Sequence, residues 1–392
     1  MKVLMIAPQP WFSPRGTPFS VLHRLRAISR LGHEVDLLTY HIGQDVPIEN
    51  VKIHRIPQIP LIKKIAVGPS LPKAVLDFFI LMKARKLVKQ NHYDLLHTHE
   101  EAGFMAPMLL KKRKMRHLYD MHSSLPQQLT NCKFTTLRSL ISTFEKLERM
   151  TIESADAVIT ICPELYHYVE RLFPDKFNML IENVADNGEV FEHKPVSPEE
   201  IKNRFNLNNH TILVYAGTFV AYQGLDLLIK SSEFIIRQNA ATKIILVGGN
   251  DDQVKKYRKM VDDLNLTDHF VFTGTVQPQE VPDYEGLADV LVSPRIEGNN
   301  TPLKIYSYLR SGKPIVATRH LTHTQVLDDS VSILTDCTPE AFAEGVLKAI
   351  RDRELTQEII RNAQKLAEEK YSYRVYLEKT KTIYDFIMDK LD

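Results

Sequence analysis

The densest run of chemistry-bearing side chains lies between Ser293 and Thr318: Ser-Pro-Arg-Ile-Glu-Gly-Asn-Asn-Thr-Pro-Leu-Lys-Ile-Tyr-Ser-Tyr-Leu-Arg-Ser-Gly-Lys-Pro-Ile-Val-Ala-Thr. Two cations, Arg295 and Lys304, bracket a Gly-Asn-Asn-Thr-Pro turn. Thr301 followed by Pro302 reads as a helix start, with a hydroxyl cap and a proline in the first turn. The main-chain amides of Gly298, Asn299, Asn300 and Thr301 would then aim at one point beside a positive helix end. Lys304, in that first turn beside Leu303, can reach an anion held there, Ser307 follows one turn later, and Arg295 adds a second charge. The expected chemistry is a seat for a pyrophosphate without a Walker loop. Glu297, at the mouth, is suited to sugar hydroxyls. The alternative is a set of merely solvated polar residues.

Three other loops carry candidate residues. Gly16 directly precedes a helical pattern, where an anion is favoured, although it also fits a plain turn. Gly217-Thr218 through Gln223-Gly224 forms a second glycine-containing loop. Neither loop has the GxGxxG spacing, which disfavours an ordinary dinucleotide oxidoreductase. The third region joins His97, His99 and Glu100 to Asp120 and His122. Its spacing is not that of a helical HExxH site and no cysteine joins it, so no metal is expected. His122 is read as a hydrogen-bonding or proton-transfer group, with a satisfied core histidine as the alternative.

These loops need strands and helices to place them. Lys2–Ala7 is an unbroken apolar run, as in a strand covered on both faces. Thr17-Pro18 starts a helix with Phe19, Leu22, Leu25, Ile28 and Leu31 at helical spacing, closed by Gly32. Strands are predicted at 34–39, 94–98, 117–121 and 157–161, with a helix over 137–153. The pattern restarts with strands at 211–217, 243–248, 269–273, 289–293, 314–318 and 331–335 and a helix over 226–238. Such alternation gives parallel sheets in an α/β fold. Between the halves lies a polar stretch, 187–198, ending in Ser197-Pro-Glu-Glu200, a capping-box pattern. Two doubly wound, Rossmann-like domains are therefore expected, 1–185 and 186–372, facing each other across a cleft. A last helix, 373–392, carrying Tyr376, Thr380, Ile383, Ile387 and Leu391 on one face, would pack back across both. Ligands should bind beyond the carboxyl ends of the strands.

Composition narrows the class. The chain has 392 residues, too many for one ordinary core, and 25% charged residues, the ordinary globular balance. Lys+Arg 50 against Asp+Glu 48 leaves a net charge of +2, so no nucleic-acid partner is expected. The three cysteines, Cys132, Cys162 and Cys337, fit neither a disulfide framework nor a zinc site and suit a reducing cytoplasm. Met1–Ala7 is too short for a signal peptide, and no stretch reaches the ~18 apolar residues of a membrane span. The segments 60–67 and 71–87 mix bulky apolar residues with Lys63, Lys64, Lys73, Lys83, Arg85 and Lys86, and 111–114 is Lys-Lys-Arg-Lys. That composition suits either an anionic membrane surface, such as the inner face of the cytoplasmic membrane, or ordinary solvated helices.

Taken in order, these segments resemble the GT-B glycosyltransferases, specifically the family-4 retaining enzymes. The likeness runs through Leu96–Glu101, Asp120–His122, Ile181-Glu-Asn-Val-Ala-Asp186, Tyr215-Ala-Gly-Thr218, Gln223–Leu228 and Leu246-Val-Gly-Gly249. It continues in Phe272-Thr-Gly-Thr275, Ala288–Pro294 and Gly312–Thr318. The resemblance implies transfer of a sugar from a nucleotide diphosphate sugar to a glycan or lipid-linked acceptor in envelope or polysaccharide synthesis. Retention at the anomeric carbon, no obligatory metal and no further cofactor go with it. The second half would hold the donor: Gly248, Thr273, Gly274 and Thr275 near the base, Gly298–Thr301 near sugar and phosphates. Gly16 would abut the diphosphate and His122 the sugar. The family commonly carries two glutamates eight positions apart, the second five residues before the glycine of Gly-Lys-Pro. Here that position is Ser307, and Glu297 stands ten residues before it. Where the family often has an Arg and a Lys after the first strand of the second half, this chain offers Thr218 and Gln223. Arg295 and Lys304 are then the expected phosphate cations, and the expected transfer is front-side, the leaving oxygen taking the acceptor proton. A sugar-nucleotide epimerase and a catalytically silent partner of another transferase remain as competing readings.

Overall fold

A computed structural model describes residues 1–13, 16–60, 62, 63, 65, 70–111, 114–131, 138–185 and 194–391. Pro14 and Arg15, Cys132, the expected boundary at 186–187, most of the 187–198 stretch and parts of the basic segments at 60–67 and 111–114 lie outside them. The chain forms two compact units, Met1–Glu182 with Tyr376–Asp392, and Asn183–Val375.

The first unit opens with β1 (Lys2–Ile6), α1 (Gly16–Arg30), β2 (Glu34–Thr39), β3 (Val51–Arg55) and α2 (Leu71–Gln90). It continues through β4 (Leu95–His99), α3 (Ala106–Leu110), β5 (Arg116–Met121), α4 (Leu125–Asn131), α5 (Arg138–Ser154), β6 (Ala157–Thr160), α6 (Pro163–Leu172) and β7 (Asn178–Leu180). Seven parallel strands lie in the order β3-β2-β1-β4-β5-β6-β7. Val3–Ile6 of the central strand are fully buried, which is why that run is continuously apolar instead of alternating. The edge strand β3 is partly exposed, and the sequence reading missed it and three-residue β7, whose patterns are short and mixed.

The second unit comprises α7 (Pro198–Arg204), β8 (Thr211–Ala216), α8 (Leu225–Gln238), β9 (Thr242–Val247), α9 (Asp251–Asp263), β10 (Phe270–Gly274) and α10 (Val281–Leu287). Then come β11 (Val290–Ser293), α11 (Lys304–Arg310), β12 (Ile315–Thr318), α12 (Leu321–Thr324), β13 (Ile333–Thr335), α13 (Pro339–Arg351) and α14 (Arg353–Tyr371). Its six parallel strands run β10-β9-β8-β11-β12-β13. Apolar clusters fill both faces of this sheet, one around Ile212, Tyr308 and Leu309, the other around Leu213, Leu246 and Phe342. Ser197 Oγ accepts from the Glu200 amide at 3.1 Å, the first of the two bonds of the expected capping box.

The last helix, α15 (Tyr373–Met388), belongs to the first unit from Tyr376 onward. Its buried face is Tyr376, Thr380, Ile383, Tyr384 and Ile387, whereas Leu391 lies beyond the helix end and is exposed. Arg24 donates to Thr380 Oγ1 at 3.1 Å, and Phe386 stacks on Phe177 at 4.0 Å between centroids.

Candidate functional site

In each sheet the direction of winding reverses once, between β1 and β4 and between β8 and β11. Loops leaving the carboxyl ends of two such strands diverge to opposite faces and leave a crevice, the usual ligand position of open α/β sheets. In the second unit the loops that follow β8 and β11 are the ones carrying most of the residues singled out from the sequence.

The two loops are tied together there. The Ile296 amide donates to Tyr222 O at 3.1 Å, and the Arg295 guanidinium lies 5.0 Å over the Tyr222 ring. Gly224 takes φ +75°, and a Cβ there would stand 1.9 Å from Pro294 O, so the approach requires glycine. Lys304 Nζ lies 3.6 Å from the centroid of the Tyr215 ring and is shielded from solvent, though other atoms of the residue reach it. Nζ has no hydrogen-bond partner among the described residues. Burial pushes this ammonium down and Arg295 adds repulsion. Glu285 opposes only in part, so Lys304 is held well below the ordinary lysine value. Burial lowers Arg295 as well, against the pull of Tyr222 and Tyr215. A buried cation without a bonded counter-charge is costly, and a bound anion would remove that cost.

The expected helix start is corrected by the structure. α11 begins at Lys304, not at Thr301-Pro302: its cap position is Leu303, whose backbone is already helical (φ −53°, ψ −38°) and which makes no side-chain cap. The Ile305 and Tyr306 amides turn back to Pro302 O and Leu303 O instead. Thr301 therefore caps nothing, and its buried Oγ1 has no partner among the described residues. Arg295 Nε donates to Glu297 O at 2.8 Å, Gln325 Nε2 donates to Asn299 O at 2.6 Å, and Gly298 (φ +104°) passes so close to Arg295 that a Cβ would clash. Asn300 is half-buried in the same loop, and the Glu297 side chain is exposed.

Ser307 has its hydroxyl 3.1 Å from Glu285 Oε1 and 3.0 Å from Lys304 O. Glu285, on α10, is buried. Burial raises its carboxyl to about 8, against the opposing effects of Ser307 and Lys304. Thus a buried carboxyl group stands directly behind the serine that occupies the resembling family's second glutamate position. Sequence reasoning missed Glu285, because nothing in a short helix twenty-two residues upstream signals that contact.

On the β9 side the Gly248 amide donates to Gly274 O at 3.0 Å and lies 3.3 Å from Thr273 Oγ1, while Thr275 Oγ1 donates to Gly249 O at 2.9 Å. A Cβ on Gly248 (φ +119°) would lie 2.1 Å from Gly217 O, and one on Gly217 would meet Tyr215 Oη at 3.2 Å and Lys304 Nζ at 3.5 Å. Gly217, Gly248, Gly274 and Lys304 therefore line one neighbourhood. Thr218 contributes its carbonyl, which accepts from Tyr215 Oη at 2.7 Å; Gln223 is buried, its Oε1 without a partner among the described residues.

At the β1/β4 switch point of the first unit, α1 starts at Gly16 rather than with Thr17 as cap. Thr17 Oγ1 instead donates to Glu100 Oε1 at 3.2 Å. Glu100 takes φ +48°, and Lys73 Nζ pairs with Glu101 and stands 3.9 Å from Glu100 Oε2. His122 is buried, its Nε2 2.8 Å from His99 Nδ1 and 3.3 Å from Asp120 Oδ1. Asp120 also accepts from Arg24 Nε at 2.9 Å, in a pair with both side chains almost wholly buried. Burial pushes Asp120 up, but Arg24 and the surrounding histidines outweigh it and hold the carboxyl well below the usual range. Burial drives His99 well down, so its imidazole is neutral and can exchange one N–H with His122.

His97, His99 and Asp120 bring three donor atoms within 4.8 Å, the one such group among the described residues. Glu100, which the sequence placed with the two histidines, is not part of it. Arg24 already occupies Asp120 Oδ2, so a divalent cation there would face a buried guanidinium. The cluster fits a hydrogen-bonded packing core better than a metal site.

Comparison with known proteins follows the division of the chain. Residues 14–179 match the model described as Glycosyltransferase Family 4, and residues 197–366 that described as Glycosyl transferases group 1. An uncharacterized glycosyltransferase of Methanocaldococcus jannaschii is 22% identical over the full length of both chains. Sucrose-phosphate synthase from Thermosynechococcus elongatus superposes with a TM-score of 0.77 at 20% identity over 99% of each chain. HepE of Anabaena, solved with UDP, does so at 0.76 and 15% identity, over 98% of this chain and 100% of its own.

Proposed function

The chain belongs to the GT-B glycosyltransferases of family 4, and from that premise we propose that it moves a hexosyl group from a nucleotide diphosphate sugar to a glycan or lipid-linked acceptor in envelope or polysaccharide synthesis, with retention and without a metal. One observation carries this reading: an unpartnered, shielded Lys304 ammonium lies beside Gly217 and near Arg295, at the switch point of one sheet. Such a place calls for an anion, and a diphosphate offers negative charge to both cations. The Anabaena neighbour's bound UDP makes uridine nucleotides the first donors to try.

The donor's bond between the anomeric carbon and the phosphate oxygen breaks as the acceptor oxygen approaches the same face of the sugar. The acceptor proton passes to the departing phosphate oxygen. Lys304 and Arg295 stabilise the charge that gathers on the diphosphate, a contribution that grows toward the transition state. They also supply the positive charge for which a metal would otherwise be needed. Gly298, Asn299, Asn300 and Thr301 present main-chain groups to the donor, Gly217, Thr218 and Gly248 line its approach, and Thr273, Gly274 and Thr275 border the base. Ser307, backed by Glu285, and buried Gln223 serve the ribose. Glu297 takes sugar hydroxyls. In the first unit His122, its ring oriented by Asp120 and His99, serves as a hydrogen-bonding or proton-transfer group.

The test incubates the chain with a panel of nucleotide sugars, with and without glycan acceptors and with EDTA. Release of nucleotide diphosphate that requires an acceptor, survives EDTA and yields product of the donor's anomeric configuration supports the proposal. Isomerised donor without transfer would identify an epimerase. Absence of donor binding would identify a silent partner, and loss of activity in EDTA would overturn the metal-free step.

A further inference from the structure

Helix α2 is apolar on two sides, and among the described residues only one of them is covered. Leu76, Ile80, Ala84, Leu87 and Val88 pack into the first unit. Leu71, Val75, Phe78 and Met82 face outward, Leu71 86% and Phe78 58% exposed. Their spacing of four, three and four residues puts them in a single stripe, roughly 17 Å long at 1.5 Å per residue. A helix that is hydrophobic all round is normally buried on all sides, and among the described residues nothing covers this stripe. Met108 of α3, itself exposed, extends it: Arg85 Nη2 lies 3.7 Å from the Met108 sulfur.

The charges around the stripe have one sign. Beyond Met82 the same face continues as Arg85, Lys86 and Lys89, all exposed, and Lys111 follows α3. The acids of this region, Asp77, Asp94, Glu100 and Glu101, are all partly buried and engaged. Tyr40 donates to Asp77 at 2.5 Å, the Lys2 amide to Asp94 at 2.7 Å, Thr17 to Glu100, and Lys73 pairs with Glu101. Lys73, counted among the surface cations at the sequence level, is therefore spent inside the unit. Lys83 is only half-exposed.

We propose that the Leu71-Val75-Phe78-Met82 stripe of α2, with its rim of Arg85, Lys86, Lys89 and Lys111, docks this unit on an anionic lipid surface. One convex helical stripe is too narrow for a stable protein interface, which takes ~20–30 residues a side. It has the form of a helix lying in the headgroup region, apolar side chains inserted and basic ones against lipid phosphates. A second copy of the chain would bring the same positive rim against itself. The inference is independent of which sugar, if any, the chain transfers.

The experiment is flotation of the full chain with phosphatidylcholine vesicles, with and without phosphatidylglycerol, at moderate salt. Binding is expected only with phosphatidylglycerol. The exposed-site variant Phe78→Ser/Met82→Ser should weaken it at least ~10-fold, as loss of two inserted apolar side chains requires. Lys86→Glu/Lys89→Glu should erase the dependence on phosphatidylglycerol. Phe78→Trp, in a chain whose sole tryptophan is buried Trp11, should shift its emission to the blue on the anionic vesicles. Circular dichroism and nucleotide-sugar binding should be unchanged in all three, because none of these residues belongs to the donor site. No flotation of the parent chain on anionic vesicles would overturn the proposal. So would full flotation of the Phe78→Ser/Met82→Ser variant. A concentration-dependent dimer that those substitutions dissolve, without lipid binding, would assign the stripe to a second copy and overturn it equally.

Discussion

Lys304 is the residue on which the donor site can be tested most sharply. Its ammonium is shielded, rests on the Tyr215 ring and has Arg295 near it, and its affinity for a proton is therefore low in the free protein. A diphosphate bound there favours the charged form and raises that affinity. Binding must then take up a proton, and by linkage the donor binds best at low pH and loses affinity as pH rises toward the value of Lys304 in the complex. For one linked proton the loss reaches tenfold, about 1.4 kcal/mol, per pH unit. The ligand should be an intact nucleotide sugar, because a free nucleotide diphosphate has a terminal phosphate that itself titrates near pH 6. Lys304→Met removes charge-assisted hydrogen bonds of about 1.5–3 kcal/mol, so binding should weaken roughly 10- to 150-fold and lose its pH slope. Turnover should fall further than affinity, since charge on the leaving group grows in the transition state. Isothermal titration calorimetry between about pH 6 and 8.5, in buffers of different ionisation enthalpy, counts the protons directly. A flat wild-type profile, or the same proton count in Lys304→Met, would refute the reasoning.

Three further perturbations test the surroundings. Glu285, raised to about 8 by burial, binds its proton more tightly folded than unfolded, so its contribution is complete below its ordinary value and is lost as pH rises to about 8. Glu285→Gln should remove a slope of up to about 1.4 kcal/mol per pH unit across that window, read as the difference between the two urea-unfolding profiles. Arg24→Met leaves Asp120 buried without its partner at 2.9 Å and should cost about 3–5 kcal/mol, a fall in melting temperature on the order of 10 °C by calorimetry. Asp120→Asn added to it should recover part of that loss, which independent effects would not. Gly224→Ala forces a Cβ against Pro294 O and should separate the two donor loops. Donor affinity should then drop at least ~10-fold while far-ultraviolet circular dichroism stays unchanged, as expected when geometry rather than folding is lost.

Much of the frame was legible because periodicity survives in a one-dimensional string. Val3–Ile6, Ile212–Ala216 and Ile244–Val247 are unbroken apolar runs, and a strand buried on both faces can be little else. The motif order from Leu96 to Thr318 pointed to the glycosyltransferase halves that the comparison found. Strands β3 and β7 escaped notice because edge strands bury too little to leave a pattern. The helix starts at Thr17 and Thr301 were misplaced because a hydroxyl before a proline is a local preference, which a tertiary partner such as Glu100 overrides.

The sequence by itself determined the kind of fold, the two repeats of strand and helix, and which loops would leave the carboxyl ends. Those follow from hydrophobic spacing and turn residues, which act between neighbours along the chain. Only the tertiary structure decided that Glu285 stands behind Ser307, that Arg24 neutralises Asp120, and that Lys304 rests on Tyr215 without a hydrogen-bond partner among the described residues. It decided too that Lys73 is spent on Glu101 while the α2 stripe is exposed. Charge pairing and exposure depend on distances between residues tens of positions apart, and no local pattern encodes those distances.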